Sequence, residues 1–390
     1  MNHVVVVGAG LAGVRSVEAL RARGFAGTIT LIGEEAHRPY DRPPLSKSVL
    51  LGGADSTIVD SDLDALEVDF RPRVAAKGLR PGVVETTEGE LSYQGLVIAT
   101  GARPIRLRGE GPQHVLRTID DALALRALLT AGSRVVVVGA GWIGAEVATA
   151  ARRAGCEVTV VEAGAGPLAA ALGPVGAYTA SWYAQAGMDL RLGTAVASVD
   201  LGGPALADGS RIEADVVVTG VGVRPSVEWL AGSGVELDDG VVTDEHLRTS
   251  LPGVVAVGDC AAWWSRRYGR RLRVEHWDTA LSAPEVAAAA LLGDDAVYDP
   301  VPYFWSEQFG HMVQYAGHHG GGRPVLRGDP AADARWGVCW MAEDDRLAAV
   351  LAVNRPRDLL QGRRLIEGGQ RLDVDRLADP AVALRDCTVA

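Results

Sequence analysis

The chain carries one segment twice. Val4 to Gly10 reads VVVVGAG and runs into Leu11-Ala12-Gly13; Val135 to Gly141 reads VVVVGAG again and runs into Trp142-Ile143-Gly144. Each copy is an unbroken β-branched run, the pattern of a parallel strand buried on both faces. Each closes in G-x-G-x-x-G ahead of a helix-forming stretch. Such glycines allow a tight turn, close approach of the backbone to a pyrophosphate, and close packing of helix on strand. The phosphates then face the donor-rich end of the helix. A lone fingerprint is weak, because glycine-rich turns are common, but here the context repeats as well. After Gly13 come a helical stretch over 14–23, a stop at Gly24, a strand over 28–32 and Glu34-Glu35; after Gly144 come a helical stretch over 145–153, a stop at Gly155, a strand over 157–161 and Glu162. An acidic residue about 20 positions beyond the glycines suits a ribose 2′-hydroxyl. Two dinucleotide sites in one chain imply two redox cofactors that meet. The plainer alternative is two strand–turn–helix units with no nucleotide.

At 390 residues the chain is too long for one core, and two to three domains are expected. No apolar stretch reaches the ~18 residues of a membrane span. Met1-Asn2-His3 leads straight into the first strand with no room for a cleavable signal, which makes the cytoplasm the expected location. Cys156, Cys260, Cys339 and Cys387 form no C-x-x-C pair and suit neither a metal site nor a disulfide framework. A net charge of −11 argues against nucleic acid or an anionic membrane as partner.

Between the copies, Arg38-Pro39-Tyr40-Asp41-Arg42-Pro43-Pro44-Leu45-Ser46-Lys47 holds three prolines within seven residues, which argues for a stiff extended loop and against a helix. Its Arg42 and Lys47 either lie over a nearby cofactor or decorate a connector. Residues 67–100 read as a β-meander ending in the buried strand Leu96 to Ile98 and the small-residue turn Ala99-Thr100-Gly101-Ala102-Arg103-Pro104. Helices are expected over 120–129, 175–185 and 282–292. Strands are expected over 215–218, closing in Gly220-Val221-Gly222, and over 254–257, closing in Gly258-Asp259-Cys260. The tail from about residue 300 carries no nucleotide fingerprint and reads as a separate α+β module.

The series V-V-G-A-G-L-A-G, P-Y-D-R-P-P-L-S-K, A-T-G-A-R-P, V-V-G-A-G-W-I-G-A-E, G-V-G-V-R-P, V-G-D-C-A, E-H-W, F-W-S-E-Q and L-A-V-N-R-P-R-D-L spans the chain in this order. In it the chain resembles the FAD-dependent, NADH-using ferredoxin reductases of the putidaredoxin reductase type, which serve bacterial haem-thiolate monooxygenases and ring-hydroxylating dioxygenases. The resemblance implies an α/β fold with two Rossmann-like dinucleotide-binding domains and a small C-terminal α+β domain. It assigns residues 1–108 with 232–300 to FAD, 109–231 to NAD, and 301–390 to an interface module. It further implies that Gly8, Gly10, Gly13 and Glu34 hold the FAD adenosine and pyrophosphate, with Glu35 as the alternative ribose ligand and Val74 at the adenine. Ala99, Thr100, Gly101, Arg42, Arg103 and Asp259 would line the rest of the flavin site, with Trp277 near the isoalloxazine. Gly139, Gly141, Ile143, Gly144, Glu162 and Gly222 would bind NAD. Lys47 and Glu146 would pair at the nicotinamide side of the flavin.

Hydride transfer between such cofactors needs positioning and electrostatics from the protein rather than a nucleophile or an acid–base team, and no Ser-His-Asp, Cys-His or metal constellation stands out. Glu162 would accept from a 2′-hydroxyl and repel a 2′-phosphate. Residues 163–173 offer no cation to offset that repulsion, so NADH is the expected donor. The expected acceptor is an acidic ferredoxin, of the [2Fe–2S] type by resemblance, feeding a terminal oxygenase. Arg266, Arg267, Arg270, Arg271 and Arg273, five arginines in eight residues of an acidic chain, form its candidate docking patch beside Trp277; a solvated loop is the alternative. A monomer is expected. Two other readings compete: an apoptosis-inducing-factor-like NADH-sensing flavoprotein, and a disulfide reductase or NADH oxidase relative. The second lacks its cysteine after the first nucleotide unit.

Overall fold

A computed structural model describes residues 1–389, which form two compact units. The first comprises 1–41, 57–103 and 223–302; the second comprises 42–56, 104–222 and the described residues from 303 onward.

In the first unit His3–Val7 is the middle strand of a five-stranded parallel sheet, in the order Val254–Ala256, Gly95–Ile98, His3–Val7, Thr28–Gly33, Val68–Pro72. Successive side chains of a strand point to opposite faces. Val4 and Val6 accordingly enter one apolar cluster, with Leu20, Ile29 and Ala287, while Val5 and Val7 enter another, with Ile32, Val84 and Val241. Both faces are covered, which is why the run is apolar throughout. The helices Leu11–Ala22 and Trp277–Leu291 lie on the first face, and the antiparallel meander Ala76–Arg80, Val83–Thr86, Gly89–Ser92 contributes Leu79 and Val84 to the second.

The second unit repeats the plan with four parallel strands, in the order Asp189–Arg191, Glu157–Val161, Arg134–Val138, Val216–Thr219. Val135 and Val137 again face one cluster and Val136 and Val138 the other. The helix Ile119–Leu128 starts on a capping box in which Thr118 and Asp121 satisfy each other's backbone N–H groups. The C-terminal part is a five-stranded antiparallel sheet, in the order Tyr303–Gln308, His311–Gly317, Leu347–Val353, Trp336–Met341, Arg323–Arg327, followed by the helix Pro356–Gly368. The fold is α/β with two Rossmann-like nucleotide-binding sheets and a C-terminal α+β part.

Three expectations need correction. The proline-rich loop contains a 3₁₀ turn, Pro43–Ser46, because prolines at the first helical positions forfeit only N–H groups that would be unpaired there. The alanine-rich helix begins at Trp277, five residues ahead of Ser282, with His276 in extended conformation before it and Pro284 inside it. The single helix expected over 175–185 is a 3₁₀ segment, Gly173–Thr179, leading into Ala180–Gln185. Pro174 at its start favours the tighter turn.

Candidate dinucleotide sites and a buried ion pair

The two fingerprints adopt one geometry. Gly8 and Gly139 have φ of +113° and +101°, and a Cβ on either would lie 2.2 Å from Ala99 O or 2.4 Å from Gly220 O. No L side chain fits there. A Cβ on Gly13 would lie 1.9 Å from Gly8 O, and on Gly144 2.0 Å from Gly139 O, so helix and turn are in backbone contact. Gly10 and Gly141 differ: nothing lies within 4 Å of a Cβ on either. Each caps its helix in extended conformation without a side-chain acceptor. The result, twice over, is an open space in front of uncapped N–H groups at a helix N-terminus, which fits a pyrophosphate.

Other sequence-selected residues gather at the same sheet edge of the first unit. Ala99 abuts Gly8 and is buried; Thr100 Oγ1 donates to Ser226 O at 2.7 Å; Gly258, next to Asp259, lies against Ala12, whose Cβ is 3.1 Å from where its own would be. This is the carboxyl end of adjacent parallel strands, where open α/β sheets bind ligands. Glu34 is exposed, whereas Glu35 accepts from Tyr40 Oη. Val74 is buried in the core, its N–H on Gly33 O at 2.9 Å. Arg103 is exposed and pairs with the equally exposed Glu228. Trp277 Nε1 donates to Asp41 Oδ1 at 3.0 Å.

In the second unit Glu162 folds onto its own fingerprint, accepting from Ala140 N at 2.8 Å and Gly164 N at 2.7 Å. Each carboxylate oxygen keeps a second lone pair for a ribose hydroxyl. The strand registers Val7↔Ile32 and Val138↔Val161 show that Glu162 corresponds to Gly33 rather than to Glu34. At Gly33 a Cβ would strike Ala9 Cβ at 2.6 Å, so the first copy carries its acidic residue one position later. Ile143 and Gly222 are exposed, Gly222 with φ +110°.

Lys47 and Glu146 form an ion pair, Nζ to Oε2 2.8 Å, with the lysine side chain 20% and the glutamate 4% exposed. Of the 38 lysines and arginines only Lys47 and Lys77 are lysine. The Lys47 loop is pinned within its unit: Arg42 donates to Arg117 O at 2.6 Å, and Arg126 to Val49 O, Ala54 O and the Asp55 carboxylate at 3.2, 3.3 and 2.8 Å. Glu146 also accepts from Ser46 Oγ at Oε2 and from Ser306 Oγ at Oε1, the latter at 2.6 Å. Both serines lie inside motifs read from the sequence, P-Y-D-R-P-P-L-S-K and F-W-S-E-Q, but the sequence reading gives neither of them a role. The pair faces a cleft of about 370 Å³ lined also by Pro43, Arg153, Trp305 and Glu307.

The arginine cluster divides. Arg271 is half-buried and donates to Thr243 O and Ala262 O at 2.6 and 3.1 Å; Arg273 is held by Asp239 and Glu275; Arg266 is exposed but paired with Glu245. Arg267 and Arg270 remain exposed. All four cysteines are free and buried. Cys260 is enclosed, its thiol pushed up by burial, and Cys339 is pushed up to about 12 for the same reason. Neither offers a thiolate near neutral pH. Among the described residues no group of three or more His, Cys, Asp or Glu side chains could hold a metal ion, and no helix is long and apolar enough to cross a membrane.

Residues 2–283 match the family described as pyridine nucleotide-disulphide oxidoreductase, and residues 303–388 a reductase C-terminal domain. The chain belongs to the pyridine nucleotide-disulphide oxidoreductase family. Within it, the ferredoxin–NAD(+) reductase component of an anthranilate 1,2-dioxygenase system from Burkholderia cepacia is 40% identical over 400 residues, covering 98% of each chain. A crystal structure of Fdr9 superposes with a TM-score of 0.95 at 52% identity, over 98% of this chain and 99% of that one. A chain of the covalent putidaredoxin reductase–putidaredoxin complex gives 0.94 at 33% identity, over 99% and 98%. The family is named for disulphide chemistry, yet this member keeps its thiols buried and protonated.

Proposed function

We infer that this chain is an FAD-dependent NADH:ferredoxin reductase, the electron-transfer component of a haem-thiolate monooxygenase or ring-hydroxylating dioxygenase system. The single observation that carries the reading is the paired cradle: two helix N-termini of identical build, each with open space in front of its middle glycine. In this reading residues 1–108 with 232–300 hold FAD through Gly8, Gly10, Gly13, Glu34 or Glu35, Ala99, Thr100, Gly101 and Asp259. Residues 109–231 hold NADH through Gly139, Gly141, Ile143, Gly144, Glu162 and Gly222, and residues 301–390 serve as the interface module.

FAD held by these residues would supply the change of electron number between a two-electron donor, NADH, and a one-electron iron–sulfur acceptor. The chain's own residues orient and bias. Lys47 holds a positive charge in a partly dry site, where such a charge acts more strongly than in water. Glu146 fixes its direction. Arg103 and Trp277 complete the flavin surroundings, with Arg42 on the pinned loop. Arg266, Arg267 and Arg270 are the exposed cations of the cluster, and together they would attract an acidic [2Fe–2S] ferredoxin. Four free thiols suit a reducing compartment, the cytoplasm, and a monomer suffices for every role named.

The test is NADH-driven reduction of cytochrome c with and without added [2Fe–2S] ferredoxin. Stimulation of about tenfold or more by ferredoxin is expected, equivalent to about 1.4 kcal/mol of barrier. Rapid flavin reduction by NADH with no stimulation by any acidic ferredoxin would instead favour an NADH-sensing flavoprotein.

A further inference from the structure

The strand Tyr303–Gln308 runs along the helix Trp142–Arg153, and the two periodicities mesh. Phe304, Ser306 and Gln308 share one face of the strand; Trp142, Glu146 and Thr149, at i, i+4 and i+7, share one face of the helix. Phe304 packs on Trp142 with ring centroids 4.7 Å apart, Ser306 Oγ donates to Glu146 Oε1 at 2.6 Å, and Phe309 N donates to Thr149 Oγ1 at 3.1 Å. Ser306 is wholly buried, and its oxygen accepts from Gln308 Nε2 at 3.1 Å, which leaves its one proton for Glu146.

The carboxylate is thus held at both oxygens from two directions. Oε2 takes Lys47 and Ser46 from the proline-rich loop, and Oε1 takes Ser306 from the C-terminal sheet. Removal of the Ser306 hydroxyl leaves Oε1 buried with no donor, and a buried acceptor without a partner bears its full desolvation penalty. Turning toward water relieves this, and it carries Oε2 away from Lys47 Nζ.

We propose that Ser306 is a positioning residue for hydride transfer: it acts through Glu146 to hold the Lys47 ammonium in place, making the C-terminal sheet part of the reductive half-reaction. The proposal rests on the assignment of Lys47 and Glu146 to the nicotinamide side of the flavin.

The test uses the FAD-loaded enzyme and the variants Ser306→Ala, Lys47→Met and the double variant. Anaerobic rapid mixing with NADH gives the limiting rate of flavin reduction and the NADH dissociation constant separately. Ser306→Ala is expected to lower the limiting rate about tenfold, with NADH affinity changed less than about threefold. The double variant should be no slower than Lys47→Met alone, because residues in one network are not additive. A second readout is independent of turnover. Lysine labelling without NADH, read by mass spectrometry as the ratio of Lys47 to the exposed Lys77, should rise about threefold or more in Ser306→Ala. Additive effects, or an unchanged labelling ratio, overturn the role of Ser306 while leaving the Lys47 reading intact. An unaltered rate in Lys47→Met overturns the parent assignment itself. Should Ser306→Ala not retain FAD, Ser306→Cys, nearly isosteric and a weak donor, is judged by the same two readouts.

Discussion

Gly10 and Gly141 offer the sharpest separation of folding from binding. Both have ordinary negative φ, −82° and −76°, and neither has any atom within 4 Å of where a Cβ would stand. Alanine therefore fits the free protein. Loss of unfolded-state freedom, about 0.4–1 kcal/mol in favour of the fold, offsets the small loss of glycine at an N-cap, and the thermal midpoint of the apoprotein should move by no more than a few degrees. The methyl group enters the space that the phosphates would occupy. Weakening one charge-assisted hydrogen bond there forfeits about 1.5–3 kcal/mol, which at about 1.4 kcal/mol per decade is about ten- to hundredfold in affinity. Gly10→Ala should raise the FAD dissociation constant by that factor, measured by fluorescence titration of deflavinated protein. Gly141→Ala should keep its FAD and raise the NADH dissociation constant instead. Gly8→Ala is the contrast: with φ +113° and Ala99 O 2.2 Å from the new methyl, it should impair folding itself. If Gly10→Ala bound FAD as the parent does, or if Gly141→Ala lost FAD and Gly10→Ala did not, the assignment of one cofactor to each cradle would be wrong.

Two further outcomes follow from named side chains. The parent enzyme should prefer NADH over NADPH at least tenfold in kcat/KM, about 1.4 kcal/mol; Glu162→Gln, which removes the charge facing a 2′-phosphate, should narrow that gap, and equal use of both donors by the parent would remove Glu162 as the selector. Charge reversal at Arg267 and Arg270 should slow association with an acidic ferredoxin and flatten its salt dependence, while reduction of a small neutral acceptor stays unchanged; equal damage to both would dismiss the patch.

The nucleotide sheets were legible because a strand buried on both faces cannot hide its composition. Val4–Val7 and Val135–Val138 sit one valine to each side in turn, and the strands Glu157–Val161 and Leu347–Val353 fall where the apolar runs fall. The helix at Trp277 was hidden because its first turn is polar and aromatic, and its apolar pattern emerges only at the alanines. The offset between Glu34 and Glu162 depends on a contact between Gly33 and Ala9, 24 residues apart by number, which spacing from the fingerprint cannot reveal. Ser306 lies 160 residues from Glu146, and no local pattern distinguishes a serine that caps a carboxylate from one that faces solvent. The arginine run misled differently: five like charges look alike in one dimension, but an antiparallel hairpin sends some inward to carbonyls and some to carboxylates.

The order in which the two units claim the chain has a consequence for biosynthesis. The six stretches alternate between the units, so the polypeptide passes from one to the other five times. Neither can be excised as a continuous fragment, and the second lacks an entire sheet until its last strands, Trp336–Met341 and Leu347–Val353, have left the ribosome. A ribosome stalled near residue 300 would hold a nearly complete first unit, and a Glu146 in the second still without its serine. Loss of the chain beyond residue 302 therefore removes Ser306, a partner of the ion pair, rather than trimming an accessory lobe.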